Sequence, residues 1–294
     1  MPKLAEIVRH IEEKIGLPLK NYQFISIGGG CINTAYKLQT ADQSYFIKLN
    51  QPQLIAMFEG EARGLEEIRA LNCVRVPAVI CHGQTGGHSF LALEYIDLGS
   101  LRDNASSLLG QQLAKLHRHH QDFFGWHINN TIGSTPQYND HEHDWLTFWQ
   151  QHRLGQQLNI AKKNGYSGNL QDKGQQLMAK LHHFFDSYSP EPALLHGDLW
   201  GGNAAADPQG NPVIFDPACY YGDRETDIAM TELFGGFNRD FYAAYQAEYP
   251  LDSGYKTRKI LYNLYHILNH VNLFGSGYLN QAESMIEQLL AEVN

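Results

Sequence analysis

Leu194-Leu195-His196-Gly197-Asp198-Leu199-Trp200-Gly201-Gly202-Asn203 is the stretch on which the reading of this chain turns, with Val213-Ile214-Phe215-Asp216 close behind it. Asn203 lies five residues after Asp198, and Asp216 eighteen after it. Phosphoryl transfer asks for a carboxylate beside the acceptor hydroxyl and for oxygen ligands that hold magnesium against the phosphates. An Asp, an Asn and a second Asp on adjacent short loops can supply those parts. A His-Gly-Asp tripeptide alone reads as an ordinary turn with buried acids. The full constellation, with the second Asp ending an apolar run, is far harder to meet by chance.

Working outward, the first third of the chain offers matching nucleotide parts. Gly28-Gly29-Gly30 sits between two strand-like runs, 22–27 and 32–38, where backbone without side chains can approach phosphates. It is neither a Walker A loop nor a complete dinucleotide fingerprint, and taken alone it is a plain glycine turn. After a turn at 40–43 comes a third strand, Tyr45-Phe46-Ile47-Lys48-Leu49. Lys48 in such a strand is ordinarily a solvated face, but it matches the third-strand lysine of kinases, which contacts the α- and β-phosphates. A helix over 53–70 follows Pro52, and Glu61 and Glu59 compete there for pairing with Lys48. Phe58 and Leu65 bracket Glu61 at helical spacing, so Glu61 is expected on the inward face. Two further strands at 78–82 and 89–95 lead into Glu94, Tyr95 and Ile96, the position of a hinge whose backbone meets adenine. An amphipathic helix opens the chain, with Leu4, Ile7, Val8, Ile11 and Ile15 on one face, and from about 106 onward the pattern is mostly helical.

Composition sets the outer limits. The chain has 294 residues, of which 43% are hydrophobic and 12% aromatic, ample for two lobes and incompatible with disorder. Its formal charge of −9 does not attract nucleic acid or an anionic membrane. No run approaches a membrane span, and the first sixteen residues lack the apolar core of a signal peptide. Cysteines at 31, 73, 81 and 219 form no CxxC pair. A cytoplasmic protein with reduced thiols is expected.

With these residues in hand the chain resembles the fructosamine kinase (ketosamine-3-kinase) family, within the aminoglycoside-phosphotransferase-like branch of the protein-kinase-like fold. The more specific marks are Gly28-Gly29-Gly30-Cys31-Ile32-Asn33, Met57-Phe58-Glu59-Gly60-Glu61 and Thr135-Pro136-Gln137 with Asn139. To them are added Trp200, Phe215-Asp216-Pro217-Ala218-Cys219-Tyr220, Gly222-Asp223-Arg224-Glu225-Thr226-Asp227, and the block from Leu268-Asn269-His270 through Asn272 to Phe274-Gly275. The resemblance implies an α+β, bilobal fold. Residues 1–97 would form an N-lobe of five antiparallel strands plus a helix, and residues 98–294 a mainly helical C-lobe. It implies transfer of phosphate from ATP, with Mg2+, to the C3 hydroxyl of a small-molecule or protein-bound ketoamine, whose unstable product then releases the free amine. Asp198 would be the base, Asn203 and Asp216 the metal ligands, and Lys48 with Glu61 the phosphate-anchoring pair. A kinase of the same fold with another acceptor, and a non-catalytic nucleotide-binding module, are the competing readings. His141 departs from the family, which usually shows Trp there, and this puts the local packing in question.

The remaining candidates divide between support and recognition. His196 is expected to order the catalytic loop, and Asp227 to bond that loop's backbone, against the alternative of a solvated acid at a helix start. Trp200 is either a sugar-stacking ring or a core residue. His270 and Asn272 would line the acceptor pocket or support the loop. Cys31 is either a small buried residue or a redox-active thiol, so a monomer and a redox-sensitive homodimer both stay open. Only ten residues separate Asp216 from Asp227, which leaves no room for a phosphorylated activation segment. A constitutively competent enzyme is the expectation.

Overall fold

The computed structural model describes residues 2–28, 32–85, 87–102 and 104–293. Five strands form one antiparallel sheet in the order β1-β2-β3-β5-β4: β1 Gln23–Ile27, β2 Thr34–Gln39, β3 Ser44–Asn50, β4 Val79–Thr85 and β5 His88–Glu94. The alternation of side chains along a strand divides its residues between two faces. Tyr45, Ile47, Leu49, Phe90 and Ala92 point to one side, where helix α1 (Pro2–Ile15) covers them with Ile7, Val8 and Ile11. The opposite face receives Leu91 and Leu93 together with helix α2 (Ile55–Ala70), whose Phe58, Leu65 and Ile68 are fully buried. Lys48, between Ile47 and Leu49, therefore projects to the α2 side. The helix expected from residue 53 opens as a 3-10 turn, Pro52–Leu54, before the α-helix begins. This is the usual result of a proline fixing φ at an N-terminus.

Beyond the sheet the chain is mainly helical. Its principal helices are α3 (Asn104–Leu116), α4 (Trp145–Phe148), α5 (Gly155–Lys163), α6 (Asn169–Lys180), α7 (Glu225–Leu233), α8 (Arg239–Glu248), α9 (Tyr255–Phe274) and α10 (Leu279–Glu292). Three two-stranded ribbons interrupt them. These pair β6 (Asn130–Ile132) with β7 (Thr135–Gln137), β8 (Ala193–Leu195) with β11 (Tyr220–Gly222), and β9 (Ala204–Ala206) with β10 (Pro212–Ile214). The catalytic-loop sequence thus runs between β8 and β9, and Asp216 between β10 and β11. No described helix is long and apolar enough to cross a membrane.

Helix α2 approaches the rest of the chain unusually closely. A Cβ at Gly64 would lie 2.9 Å from the Cys219 sulfur and 3.3 Å from Pro217, and one at Gly60 would lie 2.8 Å from the Asn130 Cβ. Glu67, one turn further on, accepts hydrogen bonds from the Trp126 indole at 2.7 Å and the Tyr221 hydroxyl at 2.6 Å. The helix that carries Glu61 is riveted to the segment that follows Asp216. Gly64→Val should push α2 off Pro217–Cys219 and lower stability by about 1–3 kcal/mol, the usual cost of overpacking. A denaturant titration would read this as a lower midpoint with an unchanged slope.

Candidate active site

Lys48 is 4% exposed, and its ammonium lies 2.7 Å from Glu61 Oε1 and 2.5 Å from Asp216 Oδ1. Burial alone would lower the lysine pKa, but the Asp216 and Glu61 carboxylates overcome that and hold it above its ordinary value. Of the two glutamates in competition, Glu61 is 8% exposed and reaches Lys48, whereas Glu59 faces solvent. Asp216 has φ of 58°, in the left-handed region that a residue other than glycine rarely adopts. Its side chain is 43% exposed, so the same group meets Lys48 and opens to the cleft.

The catalytic loop is held from behind. Asp227, 1% exposed, accepts the backbone N–H of His196 at 2.7 Å and that of Gly197 at 2.8 Å. Burial opposes its charge, yet these bonds and the one from His117 keep its pKa below the usual carboxylate value. Asp227 is therefore a clamp on the loop and not a solvated helix-start acid. His117 Nε2 lies 3.2 Å from Asp227, and its Nδ1 lies 2.8 Å from the Tyr245 hydroxyl, which in turn accepts from Arg224 at 3.0 Å. His196 bonds the Phe215 carbonyl through Nε2 at 2.9 Å and receives the Asp198 N–H on Nδ1 at 3.3 Å. A carbonyl only accepts and an amide only donates, so the ring is neutral with its proton on Nε2. Burial, which lowers its pKa, agrees. Gly197 sits at φ of 81°, and a Cβ there would lie 2.1 Å from the Ala218 carbonyl oxygen. This is why the residue before Asp198 is glycine.

Asp198 itself is half-buried. Burial and the neighbouring negative charge of Asp216 push its pKa up to about 7, against the pull of Asn203. The Asn203 amide nitrogen donates to the Asp198 backbone carbonyl at 2.9 Å and to its Oδ2 at 3.2 Å. The segment after Asp216 is fixed by a buried amide cluster. Gln137 donates to the Ala218 carbonyl at 3.1 Å and to Asn130 Oδ1 at 2.8 Å, and Asn130 donates to the Cys219 carbonyl at 2.9 Å. Asn139 joins Asn130 at 2.9 Å and is held at 2.7 Å by Arg153, a fully buried cation on the π-helical turn Trp149–Leu154. The Arg153 guanidinium also lies 3.9 Å from the Tyr220 ring centroid. The motif 222–227 is equally occupied. Asp223 accepts from Tyr262 and Tyr188, Glu225 pairs with Arg258 at 2.7 Å, and Thr226 donates to the Asp223 carbonyl.

The remaining expected site residues fall as follows. Gly28 follows the first strand, with nothing within 4 Å of where a Cβ would stand, while Gly29, Gly30 and Cys31 lie outside the described residues. Asn50 donates to Asn33 at 2.7 Å and ties the return from that loop to β3. Glu94 spends its backbone N–H on the Ala78 carbonyl and its carboxylate on Arg75 and the Ala78 N–H. Arg75 also bonds Asp207, so the Glu94 side chain links the end of β5 to residues 75–78 and, through Arg75, to Asp207. Tyr95 packs beneath the Lys37 ammonium at 4.2 Å, and Ile96, half-buried, completes the run. Just past it, an open trough of about 640 Å³ lies between residues 98–102 and Gly201, Gly202, Ala204, Ala205, Phe215 and Gly236. Trp200 is 39% exposed and so is not a core residue. His270 packs against Phe234. Asn272 donates its amide to the Gln157 backbone carbonyl at 3.0 Å and side chain at 2.8 Å, which fastens α9 to α5. His141 stacks on Phe123 with ring centroids 3.6 Å apart.

Asp227→Asn would set an amide N–H against one of the two backbone N–H donors it now accepts. The expected loss is about 1–3 kcal/mol of stability, the cost of a buried unsatisfied donor, together with a fall in turnover as the loop loses its anchor. Thermal unfolding and initial rates on the same preparation would measure both.

The sequence profile of the fructosamine kinase family matches residues 3–292. A probable ketoamine kinase from Synechocystis sp. is 48% identical over 285 residues, covering 97% of this chain and 96% of that one. The chloroplastic protein-ribulosamine 3-kinase of Arabidopsis thaliana is 45% identical over 269 residues, covering 90% and 82%. Among solved structures, a fructosamine-3-kinase candidate from Haemophilus somnus superposes with a TM-score of 0.88 at 30% identity, covering 97% of this chain and 96% of that chain. The aminoglycoside phosphotransferase APH(4)-Ia, in a ternary complex with ADP and hygromycin B, gives 0.65 at 14% identity over 98% of both, a likeness of fold alone. A match across nearly the whole length, in the family profile, in relatives and in a kinase-like fold, means that this chain belongs to the fructosamine kinase family.

Proposed function

We propose that this protein is an ATP-dependent ketoamine 3-kinase acting in deglycation, with residues 1–97 and 98–294 as the two lobes that enclose the nucleotide. The observation that carries the reading is the constellation of Asp198, Asn203, Asp216, Lys48 and Glu61 in a chain nearly half identical to a probable ketoamine kinase. The γ-phosphoryl group of ATP passes to the sugar C3 hydroxyl. The new P–O bond forms as the bond to the β-phosphate oxygen breaks, and the hydroxyl proton goes to Asp198. A carboxylate held near neutrality suits that work, since the most effective base has a pKa close to the working pH. Lys48 stands ready for the phosphates, and the backbone of 94–96 for adenine. Trp200 and His270 are assigned to the acceptor side.

The donor set fits Mg2+. Asn203 has its amide nitrogen engaged by Asp198, which leaves its carbonyl oxygen as a ligand atom beside the Asp216 carboxylate. Among the described residues, no group of three His, Cys, Asp or Glu side chains is placed to hold a metal alone. Two protein oxygens completed by phosphate oxygens and water is the usual magnesium arrangement. When bound, the ion would neutralise charge on the transferring phosphoryl group. Competence without covalent activation is supported by the burial of Thr226 and Thr231, whose hydroxyls are already bonded to the Asp223 and Ile228 carbonyls.

ATP consumption with fructosyl-lysine, ribulosyl-lysine, an aminoglycoside and choline tests the assignment. Turnover confined to the two ketoamines is expected, and turnover with only another acceptor would overturn it. Asp198→Asn should lower kcat by about 10²–10⁴-fold. Because the raised pKa keeps Asp198 neutral in acid, kcat/KM should fall about tenfold per pH unit below about pH 7 and level off above it. A profile flat from pH 6 to 8 would remove Asp198 as the titrating base.

A further inference from the structure

Asn203 directly precedes β9, and Asp216 follows β10 by two residues, so one short ribbon carries both. The Phe215 N–H donates to the Asn203 carbonyl at 3.1 Å and closes the ribbon at that end. At its other end lies Asp207, 4% exposed, which accepts the backbone N–H groups of Gln209 and Asn211, each at 2.9 Å. Burial opposes the charge of Asp207, yet the bonds from Asn211 and then Arg75 keep its pKa below the ordinary carboxylate value. The turn of the ribbon is thus a fixed anionic post.

Arg75 spans from that post to the hinge. Its guanidinium bonds Asp207 through one terminal nitrogen and Glu94, the last residue of β5, through the other at 2.9 Å. Its own backbone is held to the ribbon, since the Ile214 N–H donates to the Arg75 carbonyl at 3.1 Å. Glu94 is fixed in turn by the Ala78 N–H, which its second carboxylate oxygen accepts at 3.1 Å. Past the hinge, Gly99 exchanges two backbone hydrogen bonds with Ala206, at 2.8 and 3.0 Å. Residues 95–98 are therefore tethered at both ends to the ribbon that presents Asn203 and Asp216. A guanidinium is a planar fork and can join two carboxylates in one geometry, whereas a lysine ammonium is a point charge without the fork.

We infer that Arg75 is a positioning residue for the nucleotide. It sets the spacing between the hinge backbone, which receives the base, and the Asn203–Asp216 end of the ribbon, which receives the phosphates with their metal. The inference rests on the ATP-kinase part of the functional reading and adds to it the device that keeps the two seats in register. A ligand held at two ends gains from both only when the seats are correctly spaced, because the second contact is then made within one complex. Loosening the spacing removes that linkage and leaves each seat intact by itself.

Calorimetric titration of the full chain with adenosine, and with ADP in the presence of Mg2+, tests this, since adenosine fills only the base seat and MgADP fills both. The variants are Arg75→Met, which keeps the apolar stem, and Arg75→Lys, which keeps the charge. Both should fold, for Asp207 keeps its bonds from Gln209 and Asn211, and Glu94 keeps its bond from Ala78. Arg75→Met is expected to weaken MgADP binding about 5–20-fold, a modest part of what correct placement is worth. Its adenosine affinity should stay within about twofold of the parent's, because the base seat itself is untouched. Arg75→Lys should recover only part of the loss. In turnover, KM for ATP should rise while KM for fructosyl-lysine holds. Equal weakening of adenosine and MgADP, or weakening of neither, would overturn the role of Arg75 and leave the ketoamine reading standing. The expected split in a parent enzyme that turns over only another acceptor would overturn the ketoamine reading and support Arg75. A parent that binds neither adenosine nor MgADP would overturn both.

Discussion

A buried ammonium between two carboxylates organises this molecule. Taking Lys48 and Glu61 out of water costs several kcal/mol per ion, and the arrangement holds only because Lys48 finds Glu61 and the cleft-facing Asp216 within 2.7 Å. The three residues come from β3, from α2 and from the loop between β10 and β11. Sheet, helix and loop must therefore agree in position before the triad can form. Much of the surrounding structure answers that demand. The glycine face of α2 lets the helix lie against Asn130 and Pro217–Cys219, and Glu67 fastens its next turn to Trp126 and Tyr221.

The same logic extends to the catalytic loop. Asp227 grips its backbone, His117 grips Asp227, and Tyr245 and Arg224 back His117. The amides of Asn130 and Gln137 hold the carbonyls of Cys219 and Ala218 just past Asp216. In protein kinases the lysine–glutamate pair and the metal aspartate fall into place under the control of a phosphorylated segment. Here neutral amides and the buried guanidinium of Arg153 hold the segment after Asp216 through hydrogen bonds.

Much of this was legible in the sequence, for identifiable reasons. Asp198, Asn203 and Asp216 stand out because their chemistry demands fixed residue types at short, fixed spacing. Lys48 and Glu61 follow from strand and helix periodicity, which chose Glu61 over the exposed Glu59. What stayed hidden was the support. His117 reaches Asp227 across 110 residues, and Arg75 reaches Asp207 across 132. Such contacts leave no local pattern. Glu94 and Asn272 carry contacts of the same hidden kind, the Glu94 carboxylate bonding Arg75 and the Ala78 N–H, and the Asn272 amide bonding Gln157. Trp200 was undecidable between core and surface, since the residue type suits both, and only its exposure separates them.

The fixed seat of α2 has a bearing on inhibition. A helix whose distance from its neighbours is set by Gly60 and Gly64, and whose next turn is tied by Glu67, has no displaced position to offer a ligand without first breaking those contacts. Compounds that select kinases by capturing a swung-out helix would have to pull Glu67 from Trp126 and Tyr221 to do so here. Selectivity would have to be sought against the assembled cleft, in the trough beside Leu98–Arg102 and the Trp-Gly-Gly turn.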